Sequence, residues 1–388
     1  MRICIVYDCL YPHTVGGAER WYRNLAERLA ADGHEVTYLT LRQWDRSEIP
    51  KPADGKIKVI SAGPRMSLYT SDGRRRIAPP LMFGLGVLAH LLRRGRRYDA
   101  VHTCSFPYFS LLAAASVRPL GRYRLTVDWF EVWSESYWRE YLGGPGGRVG
   151  ALVQRLCAGV RQRAFCYSQL HARRLREEGL RGEVTVLRGL YAGPTEPQRA
   201  EPAERVVLFA GRLIPEKRAP LAVEAIALAA ERIEGLRGEI LGDGPEREAV
   251  REAIAKHGPQ IVSARGFTSA ETVALEMRRA LCLLLPTARE GYGLVVVEAA
   301  ARGTPSIVVA GPDNAAVELI EPGANGFVCA NSDPRTISEE IVRTHEAGMR
   351  LRESTAHWYE HHAHELSLES SLQTVLASYG GGLGSQNP

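Results

Sequence analysis

Short apolar runs that end near glycine, aspartate or serine alternate along the chain with longer stretches of helical periodicity. This alternation predicts parallel β-sheets covered by helices. Between the first two apolar runs, Trp21, Leu25 and Leu29 recur at helical spacing, and Gly33 follows as a stop signal. The strands predicted for the first half of the chain are 2–7, 35–41, 56–61, 100–104, 124–128, 164–167 and 183–187.

The pattern is interrupted around residues 190–205, where Gly193, Pro194, Pro197 and Pro202 stand among polar residues. Such a segment is typical of a hinge between domains. The alternation then starts again, with predicted strands at 205–210, 239–241, 261–264, 281–285, 306–309 and 327–330.

The domain boundaries follow from the point at which the alternation of strands and helices begins again. We predict a Rossmann-like domain over 1–190, a hinge over 191–204, and a second Rossmann-like domain over 205–362. A C-terminal helix over 363–379 is predicted to pack back on the first domain, and 380–388 to form a flexible tail. The fold class is therefore α/β, with two Rossmann-like domains facing each other across a deep cleft. In open parallel sheets, ligands bind at the carboxyl ends of the strands.

Composition narrows the class of protein. Hydrophobic residues make up 45% and charged residues 24% of the 388 positions, as in a soluble globular protein. A net charge of +5 without a long basic run argues against a nucleic-acid partner. The seven cysteines are scattered and form no Cys-x-x-Cys, which favours buried thiols in a reducing compartment over disulfides or zinc. We expect a cytoplasmic protein, because no signal peptide precedes the first strand and the apolar stretch 77–92 is too short and broken to span a bilayer.

The most specific chemical pattern follows the predicted strand 281–285. Pro286 ends this strand, and the residues Glu290, Gly291, Tyr292, Gly293 and Leu294 then open a helix-like run through Arg302. Free amides at a helix entrance, together with the helix dipole, form an anion site that suits a diphosphate. Glycines there let the backbone approach a ligand closely.

Two glutamates flank this entrance. Glu298 follows Glu290 by eight residues, a separation of up to about 12 Å along a helix. Carboxylates so far apart cannot work as one acid/base pair, but they can bracket an extended ligand with hydroxyls at both ends, such as a nucleotide sugar. The alternative is that Glu290 is a solvated loop residue and Glu298 an ordinary charge on a helix face.

Two cations follow the predicted strand 205–210. Arg212 and Lys217 lie five residues apart in a loop before a helix, and Lys217 is one of only five lysines in the chain. Fixed cations suit a diphosphate leaving group, whose developing negative charge must be stabilised. The alternative is an ordinary surface arginine and lysine. Gly242–Pro245 and Arg265–Phe267 follow the next two strands as weaker candidates for lining a nucleotide.

In order and spacing, these motifs resemble the family 4 glycosyltransferases of the GT-B fold, and the resemblance covers essentially the whole chain. It implies that Arg212 and Lys217 hold the diphosphate, that Glu298 binds the ribose, and that Glu290 and the Gly291–Leu294 amides meet the sugar. It further adds Gly242, Asp243, Arg265 and Phe267 to the donor site, and assigns Gly16 and Gly17 to a loop that reaches the donor phosphate.

The resemblance also implies the reaction. The family retains anomeric configuration, and the leaving phosphate assists the acceptor's attack on the same face of the sugar. The donor, UDP- or GDP-linked, would be a substrate, with no cofactor and no bound metal; the sequence has no Asp-x-Asp. The second domain would bind the donor and the first the acceptor.

The acceptor side departs from the family pattern. Relatives end the strand 124–128 with a histidine, where this chain has Asp128, so Asp128 is a candidate catalytic residue. Glu131, Trp129 and Trp133 follow, and we expect at least one of the two tryptophans to face the cleft, since aromatic faces pack on sugar rings. Core packing is the alternative for these tryptophans. His102 is a further acceptor candidate, although packing within a strand fits it better.

The function predicted is therefore transfer of a sugar to a hydroxyl of a small-molecule acceptor, of natural-product or aminoglycoside type, or of a cell-envelope acceptor. The alternatives are a GT-B epimerase or phosphorylase and a non-catalytic nucleotide-sugar-binding subunit. An NAD-dependent oxidoreductase is disfavoured, because Gly-x-Gly-x-x-Gly is absent. Residues 81–92 are followed by Arg93, Arg94, Arg96 and Arg97, with Arg74–Arg76 just before them, and this pattern could rest on an anionic membrane surface. A helix packed on the sheet with a basic exposed end is preferred.

Overall fold

The computed structural model describes residues 1–14, 16–45, 56–68, 76–196 and 200–380. The chain forms two compact units. Unit 1 comprises Met1–Thr70, Arg74–Arg188 and the chain from Glu369 onward, and unit 2 is formed chiefly by Gly189–Leu368. Each unit contains a parallel sheet with helices, so the α/β class predicted from the alternating pattern is confirmed.

The sheet of unit 1 has seven parallel strands in the order β3-β2-β1-β4-β5-β6-β7. Its strand β1 is apolar on both faces, and Ile3–Val6 are fully buried, as expected for a central strand of a covered parallel sheet. The strands are β1 Arg2–Val6, β2 Glu35–Thr40, β3 Ile57–Ser61, β4 Ala100–Cys104, β5 Arg124–Trp129, β6 Arg161–Cys166 and β7 Arg181–Val186.

Helices connect these strands. Trp21, Leu25 and Leu29 all face inward from the first helix, as their spacing predicts. The helices are α1 Gly17–Ala31, α2 Ala78–Arg94, α3 Tyr108–Gly121, α4 Glu135–Ala158 and α5 Gln169–Glu177.

The main sheet of unit 2 has six parallel strands in the order β10-β9-β8-β11-β13-β15. A short two-stranded pair, β12-β14, lies apart from it. The strands are β8 Val206–Ala210, β9 Arg237–Leu241, β10 Val262–Gly266, β11 Cys282–Leu285, β12 Arg289–Glu290, β13 Ser306–Val309, β14 Asp313–Asn314 and β15 Gly326–Cys329. The helices are α6 Ala219–Ala230, α7 Arg247–His257, α8 Ala270–Arg279, α9 Leu294–Ala300 and α10 Pro334–Leu366, which is kinked at Gly348.

The last helix, α11 Leu368–Gly380, belongs to unit 1 from Glu369 onward. Ser367 is extended and ends α10, so the final helix begins at Leu368 and not at 363. Arg28 of α1 forms an ion pair with Glu369 at 2.6 Å. Residues 381–388 of the predicted tail lie outside the described residues.

The structure shows where the seven cysteines and the apolar helix α2 lie. The seven cysteines are buried as thiols, and burial raises the pKa of Cys4, as expected for thiols that serve as small apolar side chains. Helix α2 buries Phe83 and leaves Leu85 exposed. No helix within the described ranges is long and apolar enough to cross a bilayer. Arg74 and Arg75, before α2, lie outside those ranges.

Candidate active site

The carboxyl ends of β8 and β11 bring together the charged residues predicted for the donor site. Lys217, beyond β8, forms an ion pair with Glu290, beyond β11, and each side chain is 17% exposed. The two loops are joined by their backbones, because the Ala288 amide donates to the Glu216 carbonyl at 2.8 Å. The adjacency of β8 and β11 in the sheet thus places a cation and a carboxylate, 73 residues apart in sequence, at one partly open position.

A buried asparagine fixes the loop that carries Glu290. The Asn314 amide donates to the carbonyls of Thr287, at 3.1 Å, and Val309, at 2.8 Å, and its oxygen accepts from the Ala316 amide. Glu290 pairs with Asn314 in the short β12-β14 ladder. Sequence reasoning missed Asn314, since one asparagine in a loop carries no specific signal.

Arg212 is exposed, and within the described ranges its guanidinium has no hydrogen-bond or ion-pair partner. Its loop rests on the glycine turn after β9: the Leu213 amide donates to the Asp243 carbonyl at 2.9 Å. A Cβ on Gly242 would lie 1.8 Å from the Gly211 carbonyl oxygen, and φ there is +150°. Gly242 is therefore required by the close approach of two backbones, and the turn positions the loop that carries Arg212.

Of the three weaker candidates for the donor site, Asp243 and Arg265 form ion pairs within the protein, and Phe267 is exposed. The Asp243 carboxylate accepts from Arg247 at 2.8 Å, and this guanidinium, with the Gly244 amide, lowers the pKa of Asp243. Arg265 forms ion pairs with Glu276, at 2.7 Å, and with Glu239. Phe267 is 82% exposed. Donor contacts by Asp243, Arg265 and Phe267 stay predictions.

The Gly291–Leu294 segment enters α9, which is shorter than the run through Arg302 that the sequence predicts. Gly293 has a φ of +98°, and a Cβ there would lie 2.7 Å from Ala316 Cβ, so only glycine fits. Tyr292 is buried. Leu294 opens the helix and is half-buried.

Glu298 lies in the second turn of α9, half-buried beside Tyr191 and Arg302. Arg302 donates to the Glu298 carbonyl at 2.5 Å. Burial raises the pKa of Tyr191, and the Glu298 carboxylate acts in the same direction. Glu298 therefore lies on α9 next to Tyr191, which belongs to the segment where the chain enters unit 2.

Unit 1 encloses two of the predicted site residues in its interior. Asp128 and His102 are completely buried, and His102 Nε2 lies 3.0 Å from Asp128 Oδ2. The Trp21 indole donates to the same oxygen at 2.8 Å, and His102 Nδ1 is 2.5 Å from the Tyr379 hydroxyl of α11. Burial, reinforced by the Asp128 charge, raises the pKa of Tyr22 well above its ordinary value. Asp128 and His102 therefore belong to an internal polar network. The catalytic role predicted for Asp128 and the acceptor-binding role predicted for His102 stay predictions, for side chains that the structure encloses.

The aromatic segment after β5 divides into a buried and an accessible part. Trp129 is completely buried and donates to Gln162 at 2.8 Å, as its alternative of core packing expects, and its contact with the acceptor stays a prediction. Trp133 is half-buried, stacks on Phe106 with ring centroids 5.7 Å apart, and donates to Glu131 at 2.7 Å. Trp133 and Glu131 remain the acceptor-binding candidates, at the carboxyl end of the unit 1 sheet.

Gln154 of α4 holds this segment in place and was missed by sequence reasoning. Its side-chain oxygen accepts from the Trp133 amide at 2.9 Å, and its nitrogen donates to the Trp133 carbonyl at 2.9 Å. The Tyr108 hydroxyl donates to the same oxygen at 3.0 Å. A glutamine on a helix face resembles any solvated residue, and only the packing of α4 shows that it is buried.

The glycine pair Gly16-Gly17 stands at the start of α1. Gly17 is exposed, with open space around the position of a Cβ. At Gly16 a Cβ would meet the Glu19 carboxylate, which accepts from the Tyr7 hydroxyl at 3.4 Å. A carboxylate thus lies beside Gly16, and contact of this loop with a phosphate stays a prediction; Val15 lies outside the described residues.

Two family models match the chain, and they divide it nearly as the two units do. The model described as Glycosyltransferase Family 4 matches residues 15–189, and the model described as Glycosyl transferases group 1 matches residues 195–359. The chain belongs to the family 4-type glycosyltransferases. The resemblance inferred from its motifs is confirmed, and with it the activity of a glycosyltransferase.

Named relatives extend this result. The chain is 27% identical to a glycogen synthase of Mycobacterium tuberculosis over 86% of this chain and 83% of the relative. It is 32% identical to an alpha-D-kanosaminyltransferase of Streptomyces kanamyceticus, over 34% of this chain and 36% of the relative.

Solved structures confirm the GT-B fold. A sucrose-phosphate synthase from Thermosynechococcus elongatus superimposes with a TM-score of 0.76 at 17% identity, covering 98% of both chains. The Anabaena protein HepE in complex with UDP and glucose superimposes with a TM-score of 0.73 at 16% identity, covering 98% of this chain and 100% of that one.

Proposed function

We propose that this glycosyltransferase moves a sugar from a UDP- or GDP-linked donor to an acceptor hydroxyl with retention of anomeric configuration, and that it uses no bound metal ion for this step. The observation that carries the proposal is the Lys217–Glu290 ion pair, with the exposed guanidinium of Arg212 in the same loop as Lys217. A partly exposed ion pair can exchange partners with a ligand that carries both negative charge and hydroxyl groups.

The charges account for the donor half of the reaction. When the bond between the anomeric carbon and the phosphate oxygen breaks, negative charge develops on the diphosphate. Lys217 and Arg212 would stabilise this charge, a task that a divalent cation performs in other enzymes. Glu290, released from Lys217, would accept hydrogen bonds from sugar hydroxyls, and Glu298 would accept those of the ribose.

The bond changes follow from retention. The acceptor oxygen would bond to the anomeric carbon on the face from which the diphosphate leaves, and its proton would pass to the departing phosphate oxygen. No protein base is then needed at the acceptor, which agrees with the enclosure of Asp128 and His102 in unit 1.

For the acceptor we propose a small molecule of the aminoglycoside type. The stacked Phe106 and Trp133 offer an aromatic face, and Glu131 places a carboxylate beside it that could accept from an amino group. The name of the glycogen synthase relative supports a glycan acceptor instead. A cell-envelope glycan is therefore the second acceptor class to test.

A thermal-shift screen with UDP-, GDP-, ADP- and dTDP-sugars identifies the donor, because a ligand that binds only the folded state raises the melting temperature. The donor so found is then incubated in EDTA with 2-deoxystreptamine or with a maltooligosaccharide. NMR of the product should show the anomeric configuration of the donor. An inverted product, or transfer that stops in EDTA and resumes with Mg²⁺, would contradict the proposal.

A further inference from the structure

A cluster of metal-ligating side chains lies on α10, in unit 2. His357, Glu360 and His361 are exposed, and one ligand atom of each lies within 4.8 Å of the others. The spacing i, i+3, i+4 places all three on one face of a helix. None of them is among the residues proposed to hold the donor.

The distances within the cluster suit one shared ion. His357 Nδ1 lies 3.7 Å from Glu360 Oε2, and the two imidazole rings lie 4.2 Å apart at an angle of 69°. Imidazole nitrogen with carboxylate oxygen is a donor set for Zn²⁺, Ni²⁺ and Cu²⁺, whereas Mg²⁺ and Ca²⁺ prefer oxygen alone.

A backbone contact orients one of the ligands. His361 Nδ1 lies 2.8 Å from the carbonyl oxygen of His357. A carbonyl only accepts hydrogen bonds, so Nδ1 carries the proton and Nε2 of the neutral ring keeps its lone pair for a metal. Ligating histidines in proteins are commonly held in this way by a carbonyl or carboxylate behind the ring.

The opposite face of the helix is fixed by packing. Tyr359 is fully buried and donates to the Pro194 carbonyl at 2.7 Å, and Trp358 is buried next to it. The helix therefore cannot rotate, and the three ligands are presented outward without a change in the fold. Such preorganisation favours binding.

We propose that His357, Glu360 and His361 form a surface site for a borderline transition-metal ion of the Zn²⁺ class. Water, or a donor from another molecule, would complete the coordination. The bound ion would cross-link consecutive turns near the end of α10, before the chain returns to unit 1. This site is separate from sugar transfer and stands whether or not the proposed reaction is correct.

The test is calorimetric titration of the full-length, tag-free protein with Zn²⁺, Ni²⁺, Cu²⁺ and Mg²⁺, together with melting curves. One saturable site is expected, with Cu²⁺ bound more tightly than Ni²⁺ or Zn²⁺ and no binding of Mg²⁺. His357→Ala and His361→Ala should each weaken Zn²⁺ binding about tenfold or more. The ion should raise the melting temperature of the wild type and not of the double variant.

The matched control is His345→Gln, which removes a histidine from the same helix, outside the cluster, and should leave Zn²⁺ affinity unchanged. Melting curves without metal verify that the exposed substitutions leave the fold intact. Equal Zn²⁺ affinity in the wild type and the His357→Ala/His361→Ala double variant would overturn the proposal. So would the absence of saturable Zn²⁺ binding at millimolar concentration.

Discussion

Polar residues lie at the carboxyl ends of both sheets, but those of unit 2 are exposed or partly exposed, whereas Asp128 and His102 of unit 1 are buried. In unit 2, β8 ends at Ala210 and β11 at Leu285, so Arg212, Lys217 and Glu290 lie in loops beyond the strands. In unit 1, β5 continues through Trp129, and Asp128 pairs in register with Phe165 of β6. A residue beyond the end of a strand can reach ligand, whereas a residue within a covered parallel strand faces the interior.

Because of this difference in burial, the polar residues of the two units should also contribute differently to the stability of the fold. Lys217 and Glu290 retain some exposure, so their pairing contributes modestly to stability and can be exchanged for ligand. Asp128, His102 and Trp21 are enclosed together, so loss of the Asp128 carboxylate leaves the Trp21 indole buried without its acceptor. Substitutions should therefore impair activity in unit 2 and stability in unit 1.

The largest effect is expected for Lys217→Ala. Removal of a cation proposed to face the leaving diphosphate should reduce kcat about 10² to 10³-fold. The free energy of unfolding should change by less than about 1 kcal/mol, because the ion pair is partly exposed. Steady-state kinetics and urea unfolding measure the two quantities. Lys256→Ala, an exposed lysine of α7, is the control, and equal kcat in both variants would show that Lys217 is not at the donor site.

Asp128→Ala should act mainly on stability. Loss of the carboxylate leaves the Trp21 indole nitrogen buried without its acceptor and removes the close contact with His102, which should lower the free energy of unfolding by about 3 kcal/mol. Donor affinity of the folded fraction should stay at the wild-type value. Asp99→Asn, which alters an exposed ion pair with Arg2, is the control, with an expected change of less than about 1 kcal/mol. A stable Asp128→Ala protein without activity would support the catalytic assignment instead.

A smaller effect is expected for Trp133→Ala, and it tests the boundary within the aromatic segment. Loss of the half-buried ring should raise the acceptor KM about tenfold, equivalent to about 1.4 kcal/mol, and leave the donor KM unchanged. Trp129→Ala should instead destabilise the fold by about 3–5 kcal/mol, because its ring is completely buried. A change in donor KM alone would assign Trp133 to the other substrate.

The smallest effect concerns Asp243 and Arg247. Because the folded pKa of Asp243 is lowered, its contribution to stability is present above the pKa of the unfolded chain and is lost as pH falls through the folded value. Arg247→Gln should raise the pKa of Asp243 and flatten the dependence of stability on pH in the acid range. Carboxyl ¹³C NMR titration measures this pKa, and an unchanged value in the variant would rule out Arg247 as the cause.

The sequence alone determined much of the architecture and the position of the donor-site candidates in the fold. Continuous apolar runs predicted the strands of both parallel sheets, and the polar segment near 190–205 predicted the change of unit. The loops with Arg212, Lys217 and Glu290 follow such runs directly. These features depend on local periodicity and on the rule that ligands bind at the carboxyl ends of parallel strands.

Only the tertiary structure decided which side chains a ligand can reach and which are buried. Burial of Asp128 and Trp129 depends on the last residues of β5 and on Trp21, Tyr379 and Gln162, which are distant in sequence. The supporting roles of Asn314 and Gln154 arise in the same way, from contacts with loops that the local pattern does not relate to them. The physical reason is that hydrophobic periodicity records one element's own exposure, whereas the environment of a polar group depends on every element that packs around it.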